Sequence, residues 1–256
     1  LESSEKERSL MSDRVRLAVE NHIAHVQLNR PDKRNALDMV MFEAIVAAQK
    51  SLRKQDDLRA VILSGAGIDF CSGLDIKSAM HDQRGMVRLL WKWLPWRANL
   101  AQRTGVGWRE LRAPVIAAIQ GRCWGGGLQI ALGADFRIVA PDASLSIMES
   151  KWGLIPDMGG TLALRELLGR DQAMKLAMTA EEISGKRALE LGLATVMDDD
   201  PLAAATALAI ELSQRPVNAV AGIKRLYRKS WNGSTGVALA RETVYQARIL
   251  SRLRRP

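Results

Sequence analysis

Two glycine-bearing turns and one acidic stretch hold the residue types in this chain that could do chemistry. The turns are residues 70–77 (FCSGLDIK) and 122–129 (RCWGGGLQ), and each follows an apolar, strand-like run. Residues 148–161 (MESKWGLIPDMGGT) add the carboxylates Glu149 and Asp157 beside another glycine-rich turn. Preorganised backbone NH donors can stabilise a developing oxyanion by about 3 to 4 kcal/mol each, and a carboxylate can transfer protons. The pattern therefore predicts an oxyanion hole served by an acid/base carboxylate.

Each of these features also has an ordinary structural interpretation. Residues 125–127 would allow a strand and a helix to pack closely, Glu149 would be a solvated residue at a strand end, and Asp157 would be a turn residue after Pro156. The glycines at 65–67 do not make a dinucleotide-binding turn, because the third glycine and the acidic residue on the next strand are missing. A Rossmann-type site is excluded.

The composition is that of an ordinary globular protein with one core. The chain has 256 residues, of which 47% are hydrophobic and 25% charged, and its net charge of +9 favours anionic partners. The basic residues are scattered and accompany no known nucleic-acid-binding signature, so we expect no nucleic-acid partner. No apolar run approaches the roughly 18 residues of a membrane span, so we expect no membrane partner.

The cysteines and histidines do not suggest a metal site. Cys71 and Cys123 lie in apolar or glycine-rich segments, where a free cysteine behaves as a small buried hydrophobe, and this favours a reducing, cytoplasmic setting. The positions of His22, His25 and His81 fit no zinc spacing, so we expect no metal. None of these histidines lies in a motif that would make it the base for a Cys71 nucleophile.

The elements that must position the turns alternate between strand and helix. Hydrophobic alternation predicts a hairpin over residues 15–28, and Asp38 is a good N-cap for the helix that follows. Further strands are expected at 60–63, 115–119, 136–139 and 144–148, and helices at 126–132, 161–168 and 172–178. Gly169 is expected at the C′ position of its helix, and Ser184 is expected to cap a helix that stops at Gly192.

Three helices and no strand are expected after residue 200, at 202–214, 217–229 and 236–253. We therefore expect a tag or disordered extension at residues 1–10, a core at 11–200 and a helical region at 201–256.

Four motifs, in this order and spacing, resemble the crotonase superfamily, that of the enoyl-CoA hydratases and isomerases. They are NRP with KRNAL at 29–37, SGLDIK at 72–77, GGG at 125–127 and GLIPDMGGT at 153–161. The resemblance covers roughly residues 15–196. It implies an α/β fold, a crotonase spiral of repeated β-β-α units, with a helical C-terminal region that assembles homotrimers or hexamers.

The resemblance also implies the site residues. The oxyanion hole would be formed by the NH groups of Leu74 and Gly126, and the catalytic carboxylates would be Glu149 and Asp157. Coenzyme A, present only as part of an acyl-CoA thioester substrate and not as a permanent cofactor, would lie on two strips, Lys33, Arg34 and Ala36, and Ser72, Asp75, Ile76 and Lys77. Gly125 and Gln129 would orient the substrate.

The two glutamates of the family's hydratases correspond to Gln129 and Glu149, so the first carboxylate is missing here. Hydration is usually divided between two carboxylates, whereas a single carboxylate can remove a proton and return it elsewhere. We therefore expect isomerisation of a 3-enoyl- or 3,5-dienoyl-CoA by Glu149, alone or with Asp157. The alternatives are an enoyl-CoA hydratase that uses Glu149 as its single catalytic carboxylate, and a non-catalytic acyl-CoA-binding protein.

The sequence does not decide the roles of two segments, one rich in tryptophan and one rich in basic residues. Residues 80–109 could pack into the core or a subunit contact, or could line the acyl pocket, and their tryptophans are Trp91, Trp93, Trp96 and Trp108. The resemblance implies that the C-terminal helices assemble subunits and border a neighbour's CoA phosphates, through Lys224, Arg225, Arg228 and Lys229.

Overall fold

A six-stranded sheet and a smaller three-stranded sheet form the centre of the fold. The structure is a computed structural model that describes residues 13–253, so the extension expected at residues 1–10 lies outside it. In chain order the strands are β1 (Val15–Glu20), β2 (Ile23–Leu28), β3 (Ala60–Gly65), β4 (Val115–Ile119), β5 (Arg122–Trp124), β6 (Phe136–Val139), β7 (Ser144–Ser146), β8 (Ile183–Ser184) and β9 (Val196–Met197). The larger sheet has the order β1-β2-β3-β4-β6-β9 and the smaller one β5-β7-β8.

The helices alternate with these strands and then continue alone. Those of the described residues are α1 (Met39–Arg53), α2 (Ile76–His81), α3 (Gln83–Leu90), α4 (Leu100–Arg109), α5 (Gly126–Ala131), α6 (Gly160–Leu167), α7 (Arg170–Thr179), α8 (Gly185–Glu190), α9 (Pro201–Ser213), α10 (Val217–Ser230) and α11 (Thr235–Leu253). The predicted α/β class and helical C-terminal region are confirmed. None of these helices combines the length and apolarity needed to cross a bilayer.

The central strands are covered on both faces, which explains their unbroken apolar sequence. β3 and β4 are parallel and buried along their whole length. Alternate residues such as Leu63 pack against Phe42 and Ile45 of α1. The other set, including Ile62, packs against Ala205 of α9. Each such branched side chain contributes about 1.5 to 3 kcal/mol by its burial.

Parallel strands bring their carboxyl ends to one edge of the sheet, and the two glycine turns follow β3 and β4 there. Gln120 joins the two connections, because its side chain donates to Gly65 O (2.9 Å) and its carbonyl accepts from Phe70 N (2.9 Å). The sheet therefore delivers both turns to the same place.

Three local predictions differ from the structure or need comment. The strand expected at 144–148 ends at Ser146, because Glu149–Trp152 forms a 3₁₀ helix. Gly169 directly follows the C-cap Leu168 and so lies at the predicted C′ position of its helix. α6 ends at an extended Leu168, and Gly169, with φ −60°, is the N-cap of α7. The domain boundary near residue 200 stays a prediction, and α9 beyond it packs on the larger sheet.

Candidate active site

The two glycine turns lie side by side, joined by hydrogen bonds of a short parallel bridge. Cys71 N donates to Arg122 O (2.9 Å), and Trp124 N donates to Cys71 O (2.9 Å). A Cβ atom on Gly73 would lie 2.9 Å from Trp124 O and 3.6 Å from Gly126 N, and the φ of Gly73 is +91°. Glycine at 73 is therefore needed both for its backbone conformation and for the close approach of the turns.

The backbone NH groups of Leu74 and Gly126 are available at this junction. On either side of Leu74, Leu37 N donates to Gly73 O (2.8 Å) and Asp75 N donates to Leu37 O (3.0 Å). The NH of Leu74 itself donates to no group within residues 13–253. Gly126 is the first residue of α5, where an amide has no acceptor inside the helix. Two free donors on adjacent turns are what an oxyanion hole requires.

Glu149 is buried beside the second turn, with one oxygen bonded and the other free. Its Oε1 accepts from Gln129 Nε2 at 2.5 Å, whereas Oε2 is buried without a hydrogen-bond partner in the part of the chain that the structure describes. A Cβ atom on Gly125 would lie 3.6 Å from Glu149 Oε1, so the turn passes close to the carboxylate. Burial raises the pKa of Glu149, the hydrogen bond from Gln129 opposes this, and the charge of Asp157 raises it further.

Gln129 lies on α5 and connects Glu149 to a distant turn. Only 2% of Gln129 is exposed, and its Oε1 accepts from Met158 N (2.9 Å) and Gly160 N (3.2 Å). The resemblance implied that Gln129 orients the substrate. That role stays a prediction, and the structure shows the Gln129 amide bonded to Glu149, Met158 and Gly160, contacts that the sequence did not predict.

Asp157 lies on the wall of a cleft of about 520 Å³, formed between its own turn and α4. The cleft is also lined by Pro156, Gly159, Val106 and Trp96. Asp157 is exposed to this space, yet the cleft walls partly desolvate it and raise its pKa. The carboxylates of Asp157 and Glu149 are close enough that the charge of Asp157 affects the ionisation of Glu149.

The four tryptophans of residues 80–109 divide between two environments. Trp108 is fully buried in the main core. Trp91, Trp93 and Trp96 are 68%, 86% and 79% exposed, and Trp96 lines the cleft beside Asp157. Trp108 therefore packs in the core, whereas Trp96 lines a pocket.

The two strips expected to hold coenzyme A are adjacent. Ser72 N donates to Arg34 O (3.0 Å), which joins the strips directly. The side chains of Lys33, Arg34 and Lys77 are exposed beside this junction. Their binding role stays a prediction, but the structure brings them to one surface.

The carboxylate of Asp75 is occupied within the chain. It pairs with Arg30 (2.8 Å) and accepts from Ser78 N (3.1 Å) as the N-cap of α2. Burial alone would raise the pKa of Asp75, but the hydrogen bonds from Ser78 and Arg30 hold it below its ordinary value. Asp75 therefore shapes the start of α2, and Ile76 is the first residue of that helix.

Asn35 is a supporting residue whose role the sequence did not reveal. It is fully buried, and its side-chain amide donates to Ala66 O (2.9 Å) and Asp69 O (2.8 Å) while its Oδ1 accepts from Arg30 N (2.8 Å). These bonds hold the connection that leads into the first glycine turn. The only available signal was its place in the KRNAL motif, directly before the apolar pair Ala36 and Leu37.

The basic residues of α10 differ in how far they are available. The side chain of Lys224 is only 8% exposed, pairs with Asp135 (2.6 Å) and donates to Trp108 O (3.1 Å) and Ala113 O (2.9 Å). Burial lowers the pKa of Lys224, and Asp135 partly opposes this. Arg228 donates to Arg109 O, and Arg225 stacks over Tyr245. Lys224 is thus a structural cation of this chain, and the roles implied for these residues in assembly stay predictions.

The cysteines are buried, as the sequence predicted. Cys71 and Cys123 are fully buried free thiols, and burial raises the pKa of Cys71 to about 12. A thiolate at Cys71 is therefore inaccessible at neutral pH, which excludes it as a nucleophile. Within residues 13–253, no three His, Cys, Asp or Glu side chains are grouped to hold a metal ion.

Comparisons with known proteins identify the family of this chain. A sequence model of the family described as enoyl-CoA hydratase/isomerase matches residues 18–251. The mitochondrial Δ(3,5)-Δ(2,4)-dienoyl-CoA isomerase of Rattus norvegicus is 34% identical over 216 residues, which cover 81% of this chain and 66% of that protein's length. The 1,2-epoxyphenylacetyl-CoA isomerase of Escherichia coli K12 is 33% identical over 231 residues, covering 89% of this chain and 87% of that protein.

Solved structures show the same fold over nearly the whole chain. A protein of Thermobifida fusca YX, crystallised in complex with CoA, superposes with a TM-score of 0.83 and 27% identity, covering 95% of both chains. The enoyl-CoA hydratase of Mycobacterium tuberculosis H37Rv superposes with a TM-score of 0.80 and 29% identity, covering 91% of this chain and 89% of that one. The resemblance carried by the four motifs is confirmed, and the chain belongs to the enoyl-CoA hydratase/isomerase family of crotonase-superfamily enzymes.

Proposed function

We propose that this chain isomerises the double bond of a 3-enoyl- or 3,5-dienoyl-CoA thioester. Glu149 removes and returns the proton, and the NH groups of Leu74 and Gly126 bind the thioester oxygen as it becomes an enolate. The observation that supports this most directly is the state of Glu149, whose Oε2 is buried without a hydrogen-bond partner among the described residues while its Oε1 faces the Gln129 amide. One carboxylate oxygen is therefore free to exchange a proton, and an amide, not a carboxylate, is bonded to the other.

The chemistry requires one proton to leave and one to return. In a 3-enoyl-CoA, loss of a proton from C2 gives a dienolate, and protonation at C4 gives the conjugated 2-enoyl ester. The negative charge is largest on the thioester oxygen, where each of the two donors contributes about 3 to 4 kcal/mol. A single carboxylate above C2 and C4 is enough, because it regenerates itself by giving back the proton it took.

Asp157 extends this scheme to a 3,5-dienoyl-CoA. The proton then leaves C2 and another is added at C6, four carbons away, which is beyond the reach of one fixed carboxylate. The raised pKa of Asp157 makes it a suitable proton donor at the far carbon, while Glu149 acts at C2. The similarity to dienoyl-CoA isomerases supports this use of the second carboxylate.

Hydration of a 2-enoyl-CoA is the second candidate, favoured by the similarity to enoyl-CoA hydratases. A water would have to be activated and a proton delivered to C2, normally by two carboxylates on opposite sides of that water. Gln129 stands where one of them would be, and an amide cannot accept the proton. We therefore place hydration second, and binding of acyl-CoA without turnover third.

For the CoA part of the substrate, we propose the surface where the strips around Arg34 and Ser72 meet. The exposed cations Lys33, Arg34 and Lys77 supply positive charge for the phosphates. The CoA complex of the Thermobifida fusca protein supports an acyl-CoA ligand for this fold.

We also propose that the chain assembles as a homotrimer or hexamer through its C-terminal helices. α10, its C-cap Trp231 and α11 expose large apolar side chains, which also include Ile223, Tyr227 and Leu239. Apolar patches of this kind are typical of surfaces that bind another protein chain.

The decisive experiment offers the purified protein a trans-2-enoyl-CoA, a 3-enoyl-CoA and a 3,5-dienoyl-CoA separately, followed by mass spectrometry and ultraviolet absorbance. We expect a change of absorbance at constant mass from the 3-enoyl or 3,5-dienoyl ester, and loss of that change in Glu149→Gln. A mass gain of one water from the 2-enoyl ester, without isomerisation of the others, would identify a hydratase instead. Binding of all three esters without turnover would overturn both assignments.

A further inference from the structure

We propose that Gln129 is a positioning residue that decides which oxygen of Glu149 carries the proton and holds that carboxylate in register with the turn at residues 157–160. The inference rests on the proposed function where it gives Glu149 the proton transfer. Its structural part, the control of the Glu149 carboxylate by Gln129, stands on the hydrogen bonds alone.

The orientation of the Gln129 amide is fixed by its neighbours. Two backbone NH donors, those of Met158 and Gly160, point at its Oε1 from 2.9 Å and 3.2 Å. An amide NH₂ group has hydrogens to donate and cannot accept both of these bonds, so the reversed orientation is excluded. Nε2 must therefore face Glu149, to which it donates at 2.5 Å.

This fixed donor makes the two oxygens of Glu149 different. Oε1 always faces an N–H group, so a proton on Oε1 would point at another hydrogen. The proton of the neutral acid must then be on Oε2, the atom that is buried without a partner among the described residues. Gln129 thus reserves Oε2 for taking a proton from the substrate and returning it.

The same side chain links Glu149 to Asp157. The amides that Gln129 holds belong to the residues directly after Asp157, on either side of Gly159, whose φ is +87°. The fit is close, because a Cβ atom on Gly160 would lie 2.9 Å from Gln129 Cγ. One neutral side chain therefore sets the spacing between the two carboxylates without adding a third negative charge.

Gln129→Met tests the inference, because methionine keeps the approximate length of the side chain and removes every hydrogen bond. The titration of Glu149 is followed by NMR of protein labelled with ¹³C at glutamate carboxyls, and the signal is assigned by its loss in Glu149→Gln. We expect the pKa of Glu149 to rise, because the donor that favours its ionised form is gone. In the isomerase assay, the loss in kcat/KM should be up to about tenfold greater below the raised pKa of Glu149 than at pH 8, with KM little changed.

Gln49→Met is the matched control. Gln49 is equally buried at 2% exposure, but its amide donates to Thr104 O on α4 and not to the candidate site. We expect it to lower stability without moving the titration of Glu149. An equal shift in both variants would show a general effect of buried substitutions and overturn the inference.

The remaining outcomes separate the inference from the proposed function. An unchanged Glu149 titration in folded Gln129→Met overturns the positioning role, whatever the activity. A shifted titration in a protein that isomerises no enoyl ester supports the positioning role and removes the proposed function. Should Gln129→Met not fold, Gln129→Glu keeps an acceptor for Met158 N and Gly160 N. In that variant the two carboxyls should share one proton to higher pH, and independent titration would overturn the inference.

Discussion

Asp157 and Glu149 are electrostatically coupled across the candidate site, and the charge of Asp157 adds to burial in raising the pKa of Glu149. The proposed mechanism needs ionised Glu149, so kcat/KM for a 3-enoyl-CoA should fall as the pH decreases through that raised pKa. Asp157→Asn removes the charge and should move this acid limb to lower pH. The pH–rate profile of both proteins measures the shift.

An exposed carboxylate away from the site provides the control for this prediction. Asp142→Asn also removes one negative charge from an exposed residue. Its profile should match that of the unmodified protein, so an equal shift in both variants would indicate a general charge effect. If Asp157 protonates C6, Asp157→Asn should also lose activity on a 3,5-dienoyl-CoA much more than on a 3-enoyl-CoA.

Removal of the Glu149 carboxyl should lower activity and raise stability. The folded pKa of Glu149 lies above its unfolded value, so the stability contributed by its proton is present at low pH and is lost as the pH rises through the folded pKa. Glu149→Gln should therefore raise the thermal midpoint by a few degrees at pH 8 and change it little at pH 4. Isomerase activity should fall by about 10²- to 10⁴-fold. A midpoint that falls at pH 8 would contradict the assigned pKa direction.

Much of the fold follows from local signals that survive tertiary packing. Asp38 was predicted as an N-cap and accepts from Met41 N at 2.8 Å. Ser184 caps α8 in the same way, accepting from Arg187 N. Gly169 was predicted only as the C′ residue of α6, and it is also the N-cap of α7. The second role was missed because α7 follows directly after the extended Leu168, whose conformation leaves no local signal.

The candidate site likewise has some features that the sequence predicts and others that depend on packing. The family resemblance implied that the two glycine turns act together, and the structure brings them side by side because the parallel strands β3 and β4 end at one edge of the sheet. The bond between Gln129 and Glu149 joins residues on separate elements, and the sequence shows only that a carboxylate is missing at 129. Asp75 was placed on a CoA-binding strip, which stays a prediction, and the pairing of its carboxylate with Arg30, 45 residues earlier, left no local signal.

The junction of the two glycine turns predicts a specific effect of adding one methyl group at Gly73. The new Cβ would lie 2.9 Å from Trp124 O, so Gly73→Ala should push the turns apart and spoil the alignment of Leu74 N with Gly126 N. We expect kcat to fall by about 10²- to 10³-fold with a smaller change in KM, as for loss of an oxyanion donor.

Gly153→Ala separates backbone strain from displacement of the turns. Gly153 also has a positive φ, +68°, but a Cβ there would meet no atom within 4 Å. Gly153→Ala should lower the free energy of unfolding through backbone strain and leave kcat nearly unchanged. Equal loss of kcat in the two alanine variants would show that strain alone explains the effect.

Lys224 should act as a structural cation. Lys224→Met leaves the carboxylate of Asp135 without its ion pair and removes donors to Trp108 O and Ala113 O. Loss of one partner of a largely buried pair costs about 3 to 5 kcal/mol, and the partial exposure of Asp135 places this case at the lower end. Chemical denaturation measures the cost. Lys229→Met, an exposed neighbour, is the control and should cost little. If Lys224→Met lost as little stability as Lys229→Met, the structural role of Lys224 would be contradicted.

Gln129→Glu should introduce hydration of a 2-enoyl-CoA, because it supplies the carboxylate that this chain lacks. The new carboxyl would face Glu149 Oε1 at the place of a 2.5 Å contact, where two ionised groups repel each other. One of the two should therefore keep a proton while the other is ionised, which gives the acid and the base that hydration requires. Mass spectrometry of the product should show the gain of one water, at least about tenfold faster than in the unmodified protein, with slower isomerisation of a 3-enoyl-CoA. Absence of hydration in a folded Gln129→Glu protein that still binds acyl-CoA would show that the amide at 129 is not what separates this chain from a hydratase.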